Sequence, residues 1–170
     1  MPALYIFVGT LLAIACVSDL RTRRIPNVLT LSAAVGALLF HLITGGWSAA
    51  GWSLAGLALG ALLFLPMFAL RGMGAGDVKL LAAVGAWLGP GQVAIVALAT
   101  SIAGGILALI VALSYGYLRK ALSNLALLLT HWRVAGVRPL STVTLEGARG
   151  PRLAYSFPIA IGTLVTLWLK

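Results

Sequence analysis

Three acidic side chains serve a chain of 170 residues, and two of them, Asp19 and Asp77, stand beside apolar runs of membrane length. Asp19 closes the first run, in Ser18-Asp19-Leu20-Arg21-Thr22-Arg23-Arg24-Ile25-Pro26-Asn27. Asp77 closes a glycine-rich turn, in Gly72-Met73-Gly74-Ala75-Gly76-Asp77-Val78-Lys79-Leu80. A carboxylate in or near hydrocarbon is costly, so such an acid marks a functional site by default. Two carboxylates brought close together retain one shared proton, because like charges resist joint ionisation. The ionised member can deprotonate a water while the protonated one polarises a carbonyl, which is the chemistry of peptide hydrolysis by paired acids. The titration belongs to the pair, so residue types do not say which aspartate is the base. The competing reading is structural: Asp19 caps a helix end and Asp77 N-caps the helix it begins, each pairing with a nearby Arg or Lys.

The elements that must position these acids follow from composition. The chain is 61% hydrophobic and 9% charged, with a mean hydropathy of +1.07. Soluble domains carry roughly 25% charged residues, so an integral membrane protein is expected. Stretches 1–18, 25–70, 80–118 and 153–169 hold no charge. One span needs about 20 residues, so each of the two long stretches must hold a helical hairpin. Turn signals fall at Thr44-Gly45-Gly46-Trp47-Ser48 and at Gly89-Pro90-Gly91. The expected fold is all-α, with six transmembrane helices near residues 2–18, 26–44, 51–70, 77–88, 92–117 and 153–169. Residues 1–170 read as a single membrane-embedded domain, with nothing left over for a soluble one. Residues 119–152 form a loop whose Leu122, Leu125, Leu128 and Leu129 suit a helix lying on the membrane face.

A net charge of +9 raises the question of nucleic acid. The basic residues cluster in loops between apolar runs and form no aromatic-interleaved platform, so no nucleic-acid partner is expected. With the spans assigned alternately, eleven of the twelve Lys and Arg residues fall on one side, and only Lys170 does not. By the positive-inside rule that side is the cytoplasm, and both termini face out. The lipid bilayer is the expected surrounding. The fourth helix is short: from Asp77 to Leu88 it spans roughly 18 Å against a hydrocarbon core of about 30 Å. Asp77 therefore lies in a cleft open to the cytoplasm, because irregular backbone at that depth must pack in protein or line a wet cavity.

The two motifs together resemble the type IV prepilin leader peptidases, intramembrane aspartic proteases of the GxGD type. The resemblance rests on Asp19 ahead of Ile25-Pro26-Asn27 and on Gly74-Ala75-Gly76-Asp77-Val78-Lys79-Leu80. A weaker match is Tyr155-Ser156-Phe157-Pro158-Ile159-Ala160-Ile161-Gly162, where Ala154 replaces a proline common in the family. It implies that Asp19 and Asp77 are catalytic and that the substrate is a prepilin or pseudopilin, cut on the cytoplasmic side of a prokaryotic inner membrane. No cofactor is implied. Larger members, which also N-methylate the mature pilin, resemble one another in an added cytoplasmic segment with paired cysteines. This chain has Cys16 as its single cysteine. It looks like the short, peptidase-only branch serving tight-adherence (Flp-type) pili, and methyltransferase activity is not expected.

The neighbouring residues carry two readings each. Gly72, Gly74 and Gly76 let an extended substrate approach Asp77, since glycine lacks Cβ; Gly72 and Gly76 also have small-residue packing spacing. On the first reading, a valine at Gly76 harms activity more than one at Gly60. Lys79 either holds an acidic substrate group or is a topogenic, snorkelling lysine. Arg21, Arg23 and Arg24 read as topogenic. His41 and His131 have no partner at metal-ligand spacing, so no metal site is expected. Trp47, Trp52, Trp87 and Trp168 are expected in an outer aromatic belt. The rival classes are a proton-coupled transporter or channel using both acids as relays, and a non-enzymatic subunit of a secretion assembly.

Overall fold

The computed structural model describes residues 2–116, 118–136 and 154–169. Residues 137–153, with Glu146, Arg138, Arg149 and Arg152, lie outside the described residues, as does Lys170. The described chain is helical: α1 (Pro2–Thr22), α2 (Asn27–Ala69), α3 (Ala75–Leu88), α4 (Pro90–Ser114), α5 (Leu118–Ala135) and α6 (Ser156–Trp168). Leu4–Thr22, Asn27–Ala69 and Pro90–Ser114 are long and apolar enough to cross a membrane, and Ser156–Trp168 is a shorter apolar helix.

At about 1.5 Å per residue, α2 would run more than twice the thickness of a bilayer if straight. It does not run straight. Gly46 interrupts it with φ 68° and ψ −161°, a conformation open to glycine alone. The flanking limbs meet α3 in opposite senses. In the first limb, Asn27 meets Lys79 and His41 meets Trp87, so sequence numbers rise together. In the second, Ser53 meets Ala86 and Gly60 meets Leu81, so they run against each other. The expected hairpin is present, with its turn at the expected glycine.

Helix α3 is the axis of the bundle, packed by α1, both limbs of α2, α4 and α6. Every residue from Leu80 to Leu88 is buried, as a helix apolar on all faces requires. Its 14 residues span about 21 Å, so it is short, as the charge pattern predicts. Small residues set its contact with α2. A Cβ on Gly56 would run into the carbonyl of Gly85, and one on Gly60 would lie 2.6 Å from the carbonyl oxygen of Leu81. Backbones can approach this closely only where side chains are absent. The buried Ser53 hydroxyl also donates to the Ala86 carbonyl at 2.7 Å. Gly162 plays the same part between α6 and α4, set against Thr100 and the Val96 carbonyl.

One helix boundary and one side chain differ from the sequence reading. Helix α1 continues a full turn past Ser18, so Asp19 is inside its last turn, and Arg23 ends it in the left-handed region at φ 54°. Residues 118–135, in the stretch whose leucines suit a helix, form a regular helix, α5, which among the described residues packs on α4. Trp87 is 5% exposed and belongs to the core rather than to an outer belt. It stacks on Phe7 with ring centroids 5.3 Å apart, lies 5.6 Å from Phe40, and gives its carbonyl to His41 Nε2–H at 3.2 Å. Trp47, Trp52 and Trp168 are exposed.

Candidate active site

The turn after α1 and the turn before α3, each shaped by its own local hydrogen bonds, line one cavity. After α1, the Ser18 hydroxyl donates to the Arg24 carbonyl at 2.9 Å, folding the chain back before Pro26 opens α2. This turn drives Ile25 into the core, where it lies against Gly76; a Cβ on Gly76 would sit 3.2 Å from that of Ile25. On the other strand of the site, Arg71 stops α2 with φ 55°, and the Gly72 N–H donates to the Met67 carbonyl at 2.9 Å. Gly74 then serves as the N-cap of α3 without a side-chain bond, and the Asp77 N–H donates to its carbonyl at 3.2 Å.

The result is a cavity of about 280 Å³ lined by Asp19, Arg23, Arg24, Ile25, Asn27, Gly74, Ala75, Gly76 and Asp77. Both candidate aspartates face it, and their charges lie within electrostatic reach of one another. A larger groove of about 700 Å³ between α1 and α6 is lined by Tyr5, Val8, Leu12 and Trp168 among others, and no acid among the described residues faces it.

The two carboxylates are held differently. Asp19 is 7% exposed, and its Oδ2 accepts from the Ser156 hydroxyl at 2.7 Å and from the Ser156 backbone N–H at 3.3 Å. It therefore does cap a helix, but that helix is α6, more than a hundred residues away. Asp77 is half-buried and is the third residue of α3 rather than its N-cap. It sits where the helix dipole favours a negative charge, and Tyr155 is within its electrostatic reach.

Of the other residues singled out in the sequence, Gly74 and Gly76 line the cavity and Gly72 does not. A Cβ on Gly74 would meet Asp77 Oδ2 at 3.2 Å, so this glycine gives the carboxylate room to turn. Lys79 is outside the cavity: its Nζ donates to Asn27 Oδ1 at 2.8 Å and ties α3 to the start of α2. Arg23 and Arg24, read from sequence as topogenic, also line the cavity. Ser156 was missed as a partner of the site. Its identity in Tyr155-Ser156-Phe157-Pro158 carries no signal of a carboxylate so distant in sequence.

Residues 6–109, more than half of the chain and inclusive of both aspartates, match the family model described as the type IV leader peptidase family. The chain belongs to that family. Among curated relatives, a prepilin leader peptidase/N-methyltransferase of Aeromonas salmonicida (strain A449) is 38% identical over 95 residues, which is 52% of this chain and 32% of the relative. One of the same name from Aeromonas hydrophila is 38% identical over 93 residues, 51% of this chain and 32% of the relative. The match thus spans about a third of the length of these relatives. No solved structure matches the chain. Membership of the leader peptidase family accords with a helical bundle whose exposed surface is rich in Leu and Ile, including Ile43, Leu98 and Ile106.

Proposed function

We propose that this chain is a membrane-embedded aspartic endopeptidase that removes the short leader from type IV prepilins or pseudopilins. The observation that carries the reading is the shared cavity: in a leader peptidase family member, Asp19 and Asp77 come from different helices and line one small polar space. In that space one ionised carboxylate takes a proton from water while the protonated partner polarises the scissile carbonyl. Attack gives a tetrahedral intermediate with no covalent bond to the enzyme, and proton return to the leaving amine completes cleavage. Gly74 and Gly76 keep the approach to Asp77 open, Arg23 and Arg24 supply positive charge at the rim, and Lys79 holds the frame.

The proposed topology has six crossings: α1, the two limbs of α2, α3, α4 and α6. Both termini are outside and the aspartate cavity opens to the cytoplasm of a prokaryotic inner membrane. Supporting this, Arg23, Arg24 and the Gly74–Asp77 turn share one end of the bundle, while Trp52 packs on Gly89 at the other. Residues 1–170 act as one peptidase domain. N-methylation of the product is not part of this reading; the 170 residues hold one cysteine, Cys16.

The test is cleavage of a prepilin by purified protein in liposomes, with the product's new N-terminus read by mass spectrometry. Wild type is expected to cut after the glycine that ends the leader and to leave an unmethylated product. Absence of cleavage by folded wild type across several prepilins, together with proton flux abolished in Asp77→Asn, would replace this reading with a transporter.

A further inference from the structure

Helix α6 begins at the aspartates. Its first residue, Ser156, is fully buried, and both of its donors land on the same oxygen of Asp19. The residue before it, Tyr155, faces the other acid electrostatically. The phenol has space because α4 carries Gly104 there: a Cβ at that position would stand 3.0 Å from the Tyr155 hydroxyl oxygen.

The physical consequence for Asp19 is specific. It lies in the last turn of α1, where the helix dipole disfavours a negative charge, and the start of α6 supplies the opposite field. A hydroxyl donating to a carboxylate makes a short, charge-assisted bond with a preferred direction. With two donors on Oδ2, rotation of the carboxylate is restrained. The backbone N–H alone, at 3.3 Å, is a weaker restraint than the hydroxyl at 2.7 Å. We propose that Ser156 is a positioning residue of the aspartate pair, holding Asp19 by Oδ2 so that its carboxylate keeps one orientation in the cavity it shares with Asp77. This rests on the peptidase reading above.

The experiment measures kcat, KM and thermal unfolding in detergent for wild type, Ser156→Ala and Ser156→Thr, with a prepilin as substrate. Small misplacements of a catalytic group cost up to about 10²-fold, so Ser156→Ala is expected to lower kcat about 10- to 100-fold with KM changed less than about twofold. Ser156→Thr keeps the hydroxyl and is expected to restore most of kcat. Unchanged kcat in Ser156→Ala overturns the proposal, as does a folded Ser156→Thr as impaired as Ser156→Ala. Should Ser156→Thr not fold, a thermal double-mutant cycle of Ser156→Ala with Asp19→Ala decides: sub-additive losses support the contact and additive losses overturn it. Wild type that cuts no prepilin removes the peptidase reading and the positioning role with it, whereas wild-type cleavage with an unaltered Ser156→Ala removes the positioning role alone.

Discussion

Asp19 and Asp77 share a cavity and little else. Asp19 ends one helix and starts another: it is buried, and its two donors belong to α6. Asp77 stands in the first turn of the central helix, half-buried beside a glycine turn, with its backbone N–H on Gly74. The difference teaches that one carboxylate of a pair can bear part of the fold while its partner keeps freedom for chemistry. Asymmetry of this kind is a way for two identical side chains to take different roles. The same contrast separates the glycines: Gly56 and Gly60 hold helix backbones together, whereas Gly74 and Gly76 clear space around Asp77 and Ile25.

The largest expected effect tests what the two acids share. Asp19→Asn and Asp77→Asn should each lower prepilin cleavage by about 10³-fold or more, since an amide neither accepts the water's proton nor supplies one in return. Thermal unfolding of both should remain near wild type, because asparagine at position 19 still accepts hydrogen bonds from Ser156 and Asp77 contributes mainly a dipole interaction. Appreciable turnover by either purified variant would remove the paired mechanism.

Truncation should then separate the two acids. Asp19→Ala leaves the buried Ser156 hydroxyl without its acceptor and should cost about 1–3 kcal/mol of stability. Asp77→Ala gives up mainly a dipole interaction and should cost less than about 1 kcal/mol. Equal losses in thermal unfolding would break the comparison at its centre.

The glycine contrast refines the expectation from sequence that a valine at Gly76 does more harm than one at Gly60. Gly60 is no neutral control, because any Cβ there meets the α3 backbone at 2.6 Å. Alanine is the informative substitution. Gly60→Ala should lower the unfolding midpoint and take activity down with it, whereas Gly76→Ala meets the Ile25 Cβ at 3.2 Å, a contact that a shift of a few tenths of an ångström relieves, and should lower activity with a smaller loss of stability. A midpoint that falls further for Gly76→Ala than for Gly60→Ala would reverse the assignment.

The smallest effect concerns Lys79. Loss of its exposed bond to Asn27 should cost about 0.5–1.5 kcal/mol. Because Lys79 is outside the cavity, Lys79→Ala should change KM by less than about threefold, within the range of a rim charge. A large rise in KM would return it to the substrate-holding role that its position beside Asp77 invites.

Much of this is legible in the sequence. The hairpin at Gly46, the shortness of α3 and the placement of the two acids at one end all follow from lengths of apolar runs, turn residues and the sidedness of arginine; that they share a cavity does not. These are local or additive properties: a bilayer fixes how long a helix must be, and hydrocarbon rejects charge wherever it falls. Tertiary structure alone decided that Trp87 belongs to the core with Phe7 and Phe40, that Lys79 spends its charge on Asn27, and that Ser156 reaches Asp19. Those outcomes depend on which helix faces which. Among apolar helices that choice is made by close backbone approach at Gly56, Gly60, Gly85 and Gly162, a matter of shape between distant segments that periodicity along one segment does not encode.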